Sequence, residues 1–276
     1  MSQFIRGFFV LLLTCASASA FAATNDAGAK VAWSYKGSTG PEFWGRLSPD
    51  FLLCGKGKSQ SPINITKNDL EKANSLSLHY QSAPLFLMED GLTTLTLGST
   101  QTIINDGHTL QVNFHGDEES ISYAGNTYHL VQFHFHSPSE NEINGEAAPL
   151  EIHFVHQGAN GSVAVIGVLV KGGESNPALQ AIINHLPAAD GKEYAIKNET
   201  INPIDFFPLD HDYYSFMGSL TTPPCTEGLQ WLVMASTITA TPAQIATIRH
   251  AINGPNTRAV QPLNGRLITY SMGNNG

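Results

Sequence analysis

Gln132-Phe-His-Phe-His136 and Glu151-Ile-His-Phe-Val155 are the two stretches on which the reading of this chain turns. Both alternate polar with apolar residues. Successive side chains of a β-strand point to opposite faces, so Gln132, His134 and His136 share one side while Phe133 and Phe135 share the other. By the same parity Glu151, His153 and Val155 fall together. His156 goes to the opposite face and reads as a core or hydrogen-bonded histidine. A Gly-containing connection of about a dozen residues lets the two runs pair as antiparallel neighbours and brings His153 beside His134 and His136.

A His-x-His pair alone is weak evidence, because two histidines packed on a half-exposed strand give the same pattern. Three converging neutral imidazoles are more telling: they suit one Zn²⁺ and leave a tetrahedral position open, as catalytic rather than structural zinc sites do. Ligating histidines hand their second N–H to an acceptor. Gln132 and Glu151 each precede an expected ligand by two residues on the same face and are the candidates for that task.

Working outward, the runs Thr93 to Leu97, Thr102 to Asn105, Leu110 to Phe114, Leu130 to His136, Leu150 to His156 and Val163 to Val170 are short and rich in β-branched or aromatic residues. Asn105-Asp-Gly107, Gly125-Asn126 and Gly158-Ala-Asn-Gly161 punctuate them as turns, the signature of hairpin-rich structure. Helical periodicity is clearest over Pro177 to His185 and Pro242 to Ile252, each opening near a proline after a polar residue. No linker composition and no fixed-period repeat divides the chain. The expected fold is mainly β (α+β): a single domain with a large central twisted, mostly antiparallel sheet and a few short surface helices.

The 276 residues, 42% of them apolar, suffice for a large core. With 14 Lys+Arg against 23 Asp+Glu the net charge is −9, which lacks the basic surface a nucleic-acid partner requires. At the N-terminus Arg6, the apolar run Phe8 to Leu13 and the small-residue tract Cys15 to Ala20 follow the order of a secretory signal peptide. The run falls well short of the about 20 apolar residues a membrane span needs. The expected organisation is a signal peptide over residues 1–20, with a cut after Ala22 as the alternative, and one domain over 21–276. The mature chain then has no membrane span and is periplasmic or secreted. Removing Cys15 leaves Cys54 and Cys225, either as a disulfide in an oxidising compartment or as two buried thiols.

Gly40-Pro-Glu-Phe-Trp44, Ser59-Gln-Ser-Pro-Ile-Asn-Ile65, Asn105-Asp-Gly-His108, Gln132 to His136, Ser139-Glu140, Glu151-Ile-His153, Ser219-Leu-Thr-Thr-Pro-Pro224 and Gln261-Pro-Leu-Asn264 occur in that order. Through them the chain, from about Trp33 to Arg266, resembles the alpha class of carbonic anhydrases. Cys225 directly after Pro224 resembles the exported bacterial members. The resemblance implies reversible hydration of carbon dioxide to bicarbonate and a proton by zinc-bound hydroxide, with Zn²⁺ on His134, His136 and His153. It further implies that Thr221 accepts from the hydroxide and donates to Glu140, with Thr222 alongside. Val155, Val165, Leu220, Leu229 and Trp231 match the family's apolar substrate wall, and His108 its proton shuttle. Partners are then carbon dioxide, bicarbonate and water, with oligomeric state left open, a homodimer included. Asn141 stands where many animal members carry His, and Phe216 where many carry Tyr.

Competing readings remain. His134-x-His136-x-x-x-Glu140 also resembles the first motif of cupin metalloenzymes, in which Glu140 would be a ligand, although the second cupin motif is missing and His153 comes too early. A non-catalytic binding protein on the same scaffold is a second alternative; such relatives generally lose a zinc histidine, and all three are retained here. A zinc esterase is a subsidiary one.

Overall fold

Phe133, Phe135, Ile152 and Phe154 have no solvent exposure, and this apolar face fixes how the central strands pair. Burying each phenylalanine contributes about 1.5–3 kcal/mol. A one-residue slip would carry histidines into that layer and phenylalanines out of it, so register is strongly specified. In the computed structural model the described residues are 31–66, 71–80, 100–197 and 199–271. Residues 1–20 and the expected strand Thr93 to Leu97 lie outside them.

Seven strands frame the centre: β1 (Thr100–Asn105), β2 (Leu110–His115), β3 (Asn126–His136), β4 (Leu150–Gly158), β5 (Val163–Gly172), β6 (Tyr213–Ser219) and β7 (Glu227–Met234). Among the described residues they belong to a 13-stranded sheet. Its path runs from the edge strand Glu193–Ala195 through β1, β2, β3, β4, β5, β7 and β6 to Thr269–Ser271 and Glu71–Lys72. Most pairings are antiparallel; β5 with β7 is parallel, as is β5 with Ile238–Ala240. Positive φ at Gly107 and at Gly161 lets the chain reverse between β1 and β2 and between β4 and β5.

Two helices of at least two turns lie among the described residues. α1 (Pro177–Asn184) opens with Asn176 accepting from Leu179 N, and α2 (Pro242–Ala251) opens on a Thr241/Gln244 capping box. Both stop one residue short of expectation because His185 and Ile252 leave helical geometry as C-caps. His156 is fully buried, with Nε2 2.6 Å from the Tyr80 hydroxyl and Nδ1 3.3 Å from the Ala164 carbonyl. Burial pushes its pKa down to about 3, so it stays a neutral core histidine.

Cys54 and Cys225 are joined by a disulfide across a sequence separation of 171 residues, which resolves the two readings of these cysteines. Loop-closure entropy gives such a link up to about 5 kcal/mol. The Cys54→Ser/Cys225→Ser protein is therefore expected to unfold at a markedly lower guanidinium midpoint than the oxidised wild type. An unchanged midpoint would show that the link restrains nothing in the unfolded chain. Among the described residues no helix is long and apolar enough to cross a membrane.

Candidate metal centre

The register places His153 directly opposite His134, and Glu151 opposite His136. One ring nitrogen from each of His134, His136 and His153 lies within 4.8 Å of the other two. The remaining nitrogens face acceptors, those of His134 and His136 in hydrogen-bond geometry and that of His153 only as a close contact. His134 Nδ1 is 2.8 Å from Gln132 Oε1, His136 Nδ1 is 2.8 Å from the Asn256 carbonyl oxygen, and His153 Nε2 is 3.1 Å from Glu151 Oε1. A carbonyl can only accept, so His136 Nδ1 carries the proton and Nε2 presents a lone pair. That Nε2 is buried with no hydrogen-bond partner. Leaving an acceptor buried and unpaired costs about 1–3 kcal/mol, a cost a bound cation removes. Burial holds His134 well below the ordinary histidine pKa, reinforced by His136 and His153, and lowers His136 as well. Neutral imidazole is the ligating form, so the donor set fits a divalent transition metal such as zinc.

Glu151 is itself held firmly. Its Oε2 accepts from the backbone N–H groups of Glu140 and Asn141, each at 2.8 Å, and its Oε1 accepts from Asn141 Nδ2 at 2.8 Å. Burial alone would raise its pKa, but the neighbouring His153 and these hydrogen bonds outweigh it and hold the carboxyl low. Asn141, one of the departures from the family pattern, thus serves as a clamp on Glu151, and its Oδ1 accepts from Ile63 N at 3.1 Å. Gly167 is paired with His153 across β5, and a Cβ there would sit 2.7 Å from Glu151 Oε1. Only glycine leaves the carboxylate its place.

Glu140 is buried, with Oε1 accepting from Arg258 N at 2.9 Å. Its Oε2 lies 3.5 Å from His136 Nε2 and 4.0 Å from His153 Nδ1. Burial lifts its carboxyl to about 7, against the pull of His153, the Thr221 side chain and the Arg258 N–H. Thr221 sits in a turn closed by Leu220 N to Thr226 O at 3.0 Å and Cys225 N to Thr222 O at 2.8 Å, so the disulfide anchors the turn at its end.

The three imidazoles open onto a cavity of about 200 Å³. Val155, Val165 and Trp231 occupy one row across β4, β5 and β7 and give it an apolar strip, to which Leu220 adds. Thr221, Thr222 and Gln132 supply polar lining. Leu229 packs in one apolar cluster with the lining residues Val165 and Trp231 and with Ile63, Tyr214 and Phe216. Phe216 stacks parallel to Trp231 at 6.1 Å between ring centroids. His108 also lines the cavity, stacked on Trp33 at 4.2 Å with Nε2 3.2 Å from the Trp33 carbonyl oxygen.

Sequence reasoning missed the Asn256 acceptor, Gly167, Arg258 and the lining residues Trp33 and Tyr35. Asn256 also donates through Nδ2 to the His108 and Phe135 carbonyls and accepts at Oδ1 from Ser137 N. It lies 120 residues beyond His136 outside any periodic segment, so only the fold reveals it.

Fold and site together define a sheet protein with three histidines that could hold one metal ion beside a part-apolar cavity. The sequence model of the eukaryotic-type carbonic anhydrases matches residues 39–272, and the chain belongs to that family, the alpha class. It is 41% identical over 262 residues to a carbonic anhydrase of Pectobacterium carotovorum, spanning 95% of this chain and 97% of that one. It is 39% identical over 259 residues to a carbonic anhydrase of Neisseria gonorrhoeae, spanning 94% of each. Among solved structures, the alpha-carbonic anhydrase of Thermovibrio ammonificans in complex with the inhibitor sulfanilamide superposes with a TM-score of 0.78 at 37% identity. The match covers 87% of this chain and all of that one.

Proposed function

We propose that the protein is an exported carbonic anhydrase that interconverts carbon dioxide and bicarbonate, with Zn²⁺ held by His134, His136 and His153. The observation that carries this reading is the convergence of three ring nitrogens whose partner nitrogens already face acceptors. The ion's contribution is to lower the pKa of water to about 7 and so provide hydroxide at neutral pH, a value that belongs to carbonic anhydrase chemistry in general rather than to a measurement on this chain.

The protein's residues supply the rest. A Thr221 hydroxyl whose proton is committed to the Glu140 carboxylate can only accept from the attacking oxygen, which aims that oxygen's lone pair at the substrate. Carbon dioxide has no charge to anchor, so the apolar strip of Val155, Val165, Leu220 and Trp231 suits it. The Thr221 N–H and Thr222 stand where the product anion forms. His108, at the cavity lining, carries the released proton outward, a task for which imidazole is the side chain best suited near neutral pH. Export follows from the order of the N-terminal residues, supported by the disulfide. On that reading residues 21–276 are the catalytic domain.

Purified protein is expected to contain stoichiometric zinc and to hydrate carbon dioxide in a pH-indicator stopped-flow assay. Chelation should abolish the activity and zinc should restore it. A zinc-loaded sample no faster than buffer would sink the enzyme reading in favour of a binding role, and ester turnover exceeding hydration would make the esterase primary.

A further inference from the structure

Arg258 is almost fully buried, and its guanidinium donates entirely to uncharged acceptors. Nη1 donates to Gln60 Oε1 and to the Ser61 carbonyl, each at 2.8 Å, and Nη2 donates to the Cys54 carbonyl at 2.8 Å. Its own backbone N–H donates to Glu140 Oε1 at 2.9 Å. Gln60 passes the restraint on: its Nε2 donates to the Cys225 carbonyl at 3.0 Å. Ser61 and Ser219 exchange hydrogen bonds, Ser61 N to Ser219 Oγ at 2.9 Å and Ser219 N to Ser61 Oγ at 3.2 Å. Ser219 and Cys225 bracket the turn that carries Thr221. One side chain therefore ties the segment binding Glu140 to both ends of the Thr221 turn and to the first half of the disulfide.

We infer that Arg258 is a positioning residue for the Glu140–Thr221 pair, setting the aim of that pair without touching substrate. The inference rests on the carbonic anhydrase activity proposed above. Lysine keeps the buried charge but has no planar fork able to reach separate acceptors, so it preserves the electrostatics and loses the bracing.

The test is a double-mutant cycle in the zinc-loaded full protein, read as kcat, KM and zinc content. Arg258→Lys is expected to lower kcat about tenfold with KM within about twofold and full zinc occupancy, because small misplacements of a reacting group are costly. Introduced into Glu140→Gln, whose aim is already lost, the same change is expected to alter kcat by less than about twofold. A merely structural arginine would give the same loss in both backgrounds, and that additivity would overturn the inference, as would an Arg258→Lys kcat equal to wild type. Should Arg258→Lys not fold, Gln60→Leu decides the question: it cuts the Arg258-to-Cys225 link and is expected to lower kcat about fivefold, again only when Glu140 is present. Activity unchanged in Gln60→Leu would overturn the inference. An inactive zinc-loaded wild type would instead strike the proposed activity.

Discussion

Replacing Glu140 by Gln is expected to leave zinc bound and to lower carbon dioxide hydration by at least about a hundredfold, the scale seen when an orienting group is lost. The reason lies in which atoms the carboxylate serves. Oε1 accepts from the Arg258 N–H, so the amide oxygen of the substituted side chain is drawn to that position. The NH₂ group then takes the place of Oε2, the oxygen facing the imidazoles. A donor there makes the Thr221 hydroxyl accept from the new amide and turns its proton toward the attacking oxygen, reversing the intended direction. Glu151, Gln132 and the Asn256 carbonyl still back the ligands, so metal content should not change. Atomic absorption with stopped-flow rates decides the outcome. Loss of zinc would make Glu140 a ligand and favour the cupin reading, and an unaltered rate would remove Thr221 from the proposed mechanism.

The parts of this site that were legible in the sequence are those governed by strand parity. Alternation around Phe133 and Phe135 puts His134 and His136 on one face, and the short connection to Leu150 forces antiparallel pairing, so the position of His153 follows from local rules. Gln132 and Glu151 were legible for the same reason. β6 and β7 were not legible that way. Tyr213–Ser219 is buried on both faces and shows no alternation, and Glu227–Met234 likewise buries consecutive residues at its end. Such strands resemble any apolar run. The parallel pairing of β5 with β7 joins Val165 to Trp231 across a long stretch of chain, and no local signal encodes it.

Asn256 and Arg258 were hidden for a related reason. Both act from an irregular segment, and each contributes through contacts made at long sequence separation: the Asn256 backbone carbonyl to His136, the Arg258 backbone N–H to Glu140. Backbone groups carry no residue signature, so the partner's identity says nothing about the bond. The family resemblance supplied roles for Thr221, Glu140 and His108 that spacing alone did not. It also grouped Leu229 with the cavity wall, and Leu229 packs in one cluster with Val165 and Trp231, which line the cavity.

Removing a ligand should have the largest effect of all. His153→Ala is expected to weaken zinc binding by at least about a hundredfold: in structural zinc sites with four protein ligands, apparent affinities of about 10–16 kcal/mol put each ligand near 3 kcal/mol, and about 1.4 kcal/mol is tenfold. Hydration should fall to background even at zinc concentrations that saturate the wild type. The variant also strands Glu151, whose carboxylate keeps the Glu140 and Asn141 donors but loses the imidazole 3.1 Å away. A buried carboxylate deprived of a partner is destabilising, so the melting temperature should drop in the metal-free state as well as in the presence of zinc. Added zinc should raise the wild-type melting temperature through linkage and barely move that of the variant. Gln132→Ala makes the contrast, since losing the acceptor behind His134 costs about 10–100-fold in affinity or activity while three ligands remain. An alanine variant at 153 that kept stoichiometric zinc and wild-type hydration would mean that the metal sits elsewhere, and the reading of the cavity as its reaction chamber would fall with it.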